Sequence, residues 1–254
     1  MDIKTIILIA LLSILFALEG LFPHMKDRKR RIAHGFPHVL TAVLNGALTR
    51  FMLAGITMRA ISWSGAHSLG LMRMVDLPPA LRVVATFILF DIWMYYWHMA
   101  NHRVPLFWRF HRAHHSDIGM DATTALRFHP GELILSSFIR LPVIVLIGMN
   151  FSELVLFEVM LNSSTLFHHS NVALQEKWDR MLRVLFVTPN MHRIHHSVER
   201  GETNSNFTSL LSLWDRLGRT FSIREDTRTI TFGLPSFREE GYQRLRGFLI
   251  TPFR

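Results

Sequence analysis

Long apolar runs alternate along this chain with short polar segments, and the histidines collect where one gives way to the other. Residues 5–22, TIILIALLSILFALEGLF, carry a single acid, Glu19. At ~1.5 Å per residue such a run nearly crosses a bilayer core of ~30 Å. A signal peptide would be followed by a small-residue cleavage site; here HMKDRKRR follows, residues 24–31, with five basic side chains. Basic flanks stay on the cytoplasmic side, which puts residues 24–35 inside and the N-terminus outside. A second span is expected over about 36–58, with Arg50 snorkelling or facing the protein interior. Residues 59–79 then form an outer connection ending in Pro78-Pro79, and a third span, about 80–97, returns inward and delivers His98 and His102. Residues 103–130 stay inside. A hairpin of 132–147 and 152–167 turns at Gly148-Met149-Asn150. Its arms are short and interrupted by Glu132, Arg140, Glu153 and Glu158, so a re-entrant loop and a full crossing both fit. Either returns the chain to the side it left, just before His168 and His169. The remainder, 170–254, is polar and contains no span. The expected fold is all-α: a polytopic membrane helical bundle with a cytoplasmic, histidine-rich helical cap. It forms one integral-membrane domain, with N-terminal spans over 1–80, a histidine-rich region over 81–220 and a tail over 221–254.

Charge agrees with this topology. The 254 residues carry 28 Lys+Arg against 19 Asp+Glu, a formal net charge of +9. With 49% apolar residues arranged in runs, the basic excess points to an anionic membrane surface and not to nucleic acid. Span parity places every histidine cluster on one side together with most basic residues, and leaves only Arg59 and Arg73 in the outer connection. The absence of cysteine excludes disulfides, thiolate zinc sites and Fe–S clusters.

Most of the 15 histidines fall in four clusters. His98-Met-Ala-Asn-His102 is an H-x3-H pair; His111-Arg-Ala-His114-His115 and His192-Arg-Ile-His195-His196 are both H-x2-H-H; His168-His169 follows the hairpin. Helical residues three or four apart share a face, so each cluster aims two or three imidazoles at one point. Neutral imidazole ligates iron, copper, zinc and nickel, and eight or nine imidazoles exceed what one ion accepts. They suit two. One H-x3-H pair arises easily by chance; two copies of H-x2-H-H on one side of a membrane do not. Isolated His24, His34, His38 and His67 read as ordinary surface or core residues.

These clusters sit in a longer pattern: D-x3-Y-Y-x-H-x3-H from Asp91, with Tyr95 and Tyr96; W-R-F-H-R-A-H-H-S from Trp108; T-T-A-L-R-F-H-P from Thr123; F-H-H-S-N from Phe167; P-N-M-H-R-I-H-H-S from Pro189; N-S-N-F from Asn204; and W-D-R-L-G-R-T from Trp214 to Thr220. In order and spacing, over about half the chain, this resembles the fatty acid hydroxylase / sterol desaturase superfamily of integral-membrane di-iron enzymes. One departure is the extra residue between Gly218 and Thr220, after Leu217 where the family usually has Phe. The resemblance implies metal ligation at His98, His102, His111, His114, His115, His169, His192, His195 and His196. His168 is the less favoured neighbour of His169, and His129 is a ligand or a donor behind the ligands. Asp91, Asp121 and Asp215 are candidates to receive the second N–H of a metal-bound imidazole, or are ordinary ion-pair and cap residues. Trp93, Tyr95, Tyr96 and Trp97 line a lipid tunnel or form an interfacial aromatic belt.

The resemblance further implies two iron ions, with zinc as a possible substitute, and O2-dependent hydroxylation or desaturation of a lipid such as a sterol or fatty acyl chain. The sequence carries no nucleotide or haem motif, so electrons come from an external ferredoxin or cytochrome. Two other classes compete: a zinc-dependent membrane metalloenzyme using the same histidines, and a non-enzymatic metal- or lipid-binding membrane protein. A carrier would place its ligands near the bilayer midplane, whereas these gather at span ends.

Overall fold

The computed structural model describes residues 3–26 and 30–254; residues 1, 2 and 27–29, the last within the basic run 24–31, lie outside the described set. The apolar runs become long helices: α1 (Ile3–Leu21), α2 (Arg31–Leu48), α3 (Ala54–Ala66), a short α4 (Leu71–Met74), α5 (Pro79–Arg103), α6 (Pro105–His115), α7 (Pro130–Ile147) and α8 (Phe151–His169). Beyond them lie α9 (Glu176–Leu182), α10 (Pro189–His195), α11 (Arg200–Thr203), α12 (Leu213–Leu217), α13 (Glu240–Gln243) and α14 (Leu245–Ile250). Among the described residues there is no strand, only isolated bridges such as Phe186 with Leu211. Four stretches are long and apolar enough to cross a membrane: Ile3–Leu21, Arg31–Met74, Pro79–Arg103 and Pro130–Ile147.

Local chemistry sets the boundaries. Proline stands in the first turn of α5, α6, α7 and α10, where its missing N–H costs nothing and its fixed φ starts the helix. The hairpin turn is closed by Gly148 in the left-handed region (φ 80°) and by a capping box in which Asn150 and Glu153 satisfy each other's backbone N–H. The second span differs from the expected 36–58. Helix runs from Arg31 to Ala66, interrupted only by a π-helical turn at Thr49–Leu53 that contains Arg50. No proline follows Pro37 within it, and single glycines at 46 and 55 are tolerated. Arg59 therefore lies in α3 and not in an outer loop.

The hairpin packs along α5. Arg82, in the first turn of α5, donates to Glu153 Oε1 (2.8 Å) and to the Gly148 carbonyl (2.9 Å), and so holds the hairpin turn at the end of α5 remote from His98. Gly70 packs its backbone directly on Gly148; a Cβ on Gly70 would stand 2.3 Å from Gly148 Cα. Phe90, Phe157, Ile144, Met149 and Leu154 fill the core between α5, α7 and α8. Several charges on the spans are paired: Lys4 and Arg140 both reach Glu158, and Glu19 takes Arg31 (3.0 Å). The other oxygen of Glu19 accepts the backbone N–H groups of Ala122 and Asn171, each at 2.7 Å, which ties the C-terminal end of α1 to the segments around residues 122 and 171.

Candidate metal centre

Four elements bring the histidines together. The last turns of α5 present His98 and His102; the chain reverses at Val104 and α6 presents His111, His114 and His115. The end of α8 presents His169, and α10 presents His192, His195 and His196. The nine side chains form two groups: His98, His102, His111, His115 and His195 in one, and His114, His169, His192 and His196 in the other. Within each group one nitrogen per residue lies within 4.8 Å of all the others. The neighbours His114 and His115 belong to different groups, as do His195 and His196, because successive side chains on a helix diverge by ~100°.

The ring orientations are fixed from behind. Nδ1 of His98 donates to the Phe207 carbonyl (2.6 Å), of His195 to Ser205 (2.7 Å), of His169 to Thr165 (2.7 Å) and of His114 to Arg127 (3.3 Å); His111 Nδ1 donates to Glu132 Oε1 (2.8 Å). A carbonyl or carboxylate only accepts, so each Nδ1 carries the proton and each Nε2 presents a lone pair. Those lone pairs face one another: His98 Nε2 is 3.1 Å from Nε2 of both His111 and His195, and His169 Nε2 is 3.1 Å from His114 and 3.0 Å from His192. Opposed lone pairs repel, and a cation between them removes the repulsion. Among the described residues both ring nitrogens of His102 are buried with no hydrogen-bond partner. Burial drives the pKa of His114, His115, His192, His195 and His196 well below the usual imidazole value, and neighbouring imidazoles lower it further. The rings are thus neutral, the form that binds metal. Donor type, tautomer and grouping fit two imidazole-bound ions.

The other candidate residues stand apart. His168 is in neither group; its ring packs on His192 at 4.0 Å between centroids. His129 accepts from Gly131 N at the start of α7 and bonds the Leu249 carbonyl. Asp91 accepts from Trp214 Nε1 (2.7 Å) and Leu211 N (3.3 Å), and Asp215 accepts from the N–H groups of Phe207 and Thr208, so both hold the loop whose carbonyls orient His98 and His195. Asp121 caps the turn at 122–126 and pairs with His34. A carboxylate that does reach the histidines is Glu132, which the sequence reading took only as an interruption of a span. The signal that could have found it is its place three residues after His129 in the F-H-P-x-E run.

His34, His38 and Asp117 make a third close group. His34 bridges Asp117 and Asp121 at 2.8 Å each, and Arg127 directs Nη1 to His38 Nε2 at 3.1 Å. The guanidinium occupies the place a cation would take, so this group is an ion network bracing residues 116–127.

Beside the two groups lies a cavity of about 160 Å³. Its lining combines His98, His111, His114, His168, His169 and His192 with the apolar Met94, Trp97, Leu133 and Leu161, and includes Glu132 and Asn162. Of the aromatic run on α5, Trp97 lines this cavity, Trp93 stacks on Phe90, Tyr95 is buried with its hydroxyl on Thr220, and Tyr96 is exposed.

Comparison with known proteins gives the same direction. The chain is 28% identical over 144 residues to ornithine lipid hydroxylase OlsE of Rhizobium tropici, covering 57% of this chain and 43% of the relative. It is 26% identical over 219 residues to alkylglycerol monooxygenase of Danio rerio (84% and 44%) and 23% identical over 164 residues to cholesterol 25-hydroxylase of Rattus norvegicus (64% and 54%). The chain thus spans about half, or less, of the length of these relatives. No solved structure matches it. The fatty acid hydroxylase model matches residues 83–220, just over half of the chain and all nine grouped histidines, and the chain belongs to that family.

Proposed function

We propose that the protein is a di-iron, O2-dependent hydroxylase of a membrane lipid. One observation carries the reading: nine clustered imidazoles, five of them held from behind through Nδ1, bring one ring nitrogen each into two adjoining groups beside a largely apolar cavity. His98, His102, His111, His115 and His195 hold one ion; His114, His169, His192 and His196 hold the other. Iron bound there supplies reductive activation of O2 and removal of hydrogen from an unactivated C–H bond. The chain's own work is placement. Carbonyls at 205, 207, 165 and 127, with Glu132, fix the imidazoles, and Met94, Trp97, Leu133 and Leu161 seat a hydrocarbon segment against them while keeping water out. Hydroxylation is favoured over desaturation because the relatives are named as hydroxylases and monooxygenases. Electrons arrive from a separate ferredoxin- or cytochrome-type donor. The histidine end faces the cytoplasm, in line with the concentration of basic residues there.

The test is reconstitution of metal-free protein with Fe(II) or Zn(II), followed by turnover of a lipid extract with reductant and O2. Iron-loaded protein should consume O2 and yield hydroxylated lipid, His195→Ala should abolish both, and His67→Ala should change neither. Turnover by the zinc form and not by the iron form would refute the proposal.

A further inference from the structure

The polar C-terminal half contains a patch that does not belong in water. Met181 is 59% exposed, Val184 66% and Leu217 69%, and Trp178, Phe186 and Leu213 are exposed beside them. The patch is one surface built from two segments. Ser212 N donates to the Leu185 carbonyl (2.9 Å), Val187 N donates to Leu210 (2.9 Å), and Ser212 Oγ and Arg216 Nη2 both donate to the Arg183 carbonyl.

Its depth follows from its anchor. Leu211 N and Trp214 Nε1 both donate to Asp91, which is buried on α5 seven residues before His98. Seven helical residues place Asp91 about 10 Å from the level of His98, toward the middle of the span. Ser164, five residues before His169 on α8, donates to the Ser209 carbonyl (2.8 Å), which fixes the same loop at a similar depth from a second helix. Segments 183–187 and 209–217 therefore lie below the plane of the histidines, beside α5 and α8. Lys177 and Arg180 of α9, the latter 3.6 Å from Glu176, and Arg216 and Arg219 at α12 and just beyond it stand exposed around this patch. An apolar face with basic residues around it is the composition of a helix lying in a membrane interface with anionic lipid.

We propose that the surface formed by α9, residues 183–187 and α12 is embedded in the lipid leaflet on the histidine side, as an in-plane anchor of the cap. The occupant of the patch is acyl chain, with anionic headgroups on Lys177, Arg216 and Arg219. Ser209, next to this surface, lines the cavity, so the anchor gives the cavity a wall within the leaflet.

The chain has no cysteine, so single sites can be labelled cleanly. Met181→Cys, Val184→Cys and Leu217→Cys, with Gly201→Cys in open space as the control, would carry a nitroxide in the full chain reconstituted into phosphatidylcholine–phosphatidylglycerol vesicles. Power-saturation EPR should show O2 colliding more than a water-soluble nickel chelate at the three patch sites, and the reverse order at Gly201→Cys. Nickel dominating at the patch sites, as at the control, would overturn the proposal. So would low accessibility to both probes with spin–spin broadening, because that would mean a second copy covers the patch. The readout is independent of bound metal and of turnover.

Discussion

Glu132→Gln is the perturbation that best separates a tuned metal site from a mere cluster of rings. Glu132 Oε1 receives the Nδ1–H of His111 at 2.8 Å, the residue is 6% exposed, and among the described residues its second oxygen has no partner. A charge-assisted hydrogen bond of this kind contributes about 1.5–3 kcal/mol. Loss of a carboxylate behind a metal-bound histidine typically weakens metal binding about 10–100-fold, or about 1.4–2.7 kcal/mol. The two figures agree. Glutamine keeps the volume but offers His111 a neutral acceptor, or, with the amide turned, a donor that forces the proton onto Nε2 and removes the ligand. His111 belongs to the five-histidine group alone, so the loss should fall on one of two metal equivalents. Chelator competition against cobalt-loaded protein, followed by absorbance, should change from two tight equivalents to one tight and one weakened by that factor. Equal weakening of both equivalents, or a variant that holds both as tightly as the native chain, would sink the reasoning.

Gly70→Ala should lower stability by more than about 2 kcal/mol, because φ is +110° there and the new Cβ meets Gly148 backbone; yield and thermal midpoint in detergent check it, and a native midpoint contradicts it. The metal-free protein should lose stability as pH falls through ~6.5. Burial depresses His114, His115, His192, His195 and His196 in the folded state, so the unfolded chain takes up protons first; their contribution is present above ~6.5 and is lost toward their folded values. Thermal midpoints of the apo protein against pH should show that slope, and a midpoint that rises on acidification would be inconsistent with neutral buried rings.

The sequence made the long helices, the hairpin with its glycine turn and the inventory of clustered histidines legible, because each leaves a local trace: apolar length, a glycine–asparagine turn, a repeated spacing. It hid what depends on neighbours. Glu132 looked like a flaw in a span until α6 was seen to place His111 against it. His34 and His38 looked ordinary singly, and only the return of residues 117–127 makes them part of an ion network. The division of nine histidines into five and four was equally out of reach, since adjacent residues on α6 and α10 go to different groups. The second helix outran its expected limits because apolar composition marks a lipid-facing stretch and not where a helix must stop.

The split of His114 from His115, and of His195 from His196, governs how this protein can vary. A one-residue insertion or deletion within α6 or α10 rotates everything beyond it by ~100° and reassigns ligands between the groups. Neither histidine group can then be altered alone by a change of length within these helices. Tolerated differences in length belong in exposed loops such as 172–175, where no helical register connects one histidine to the next.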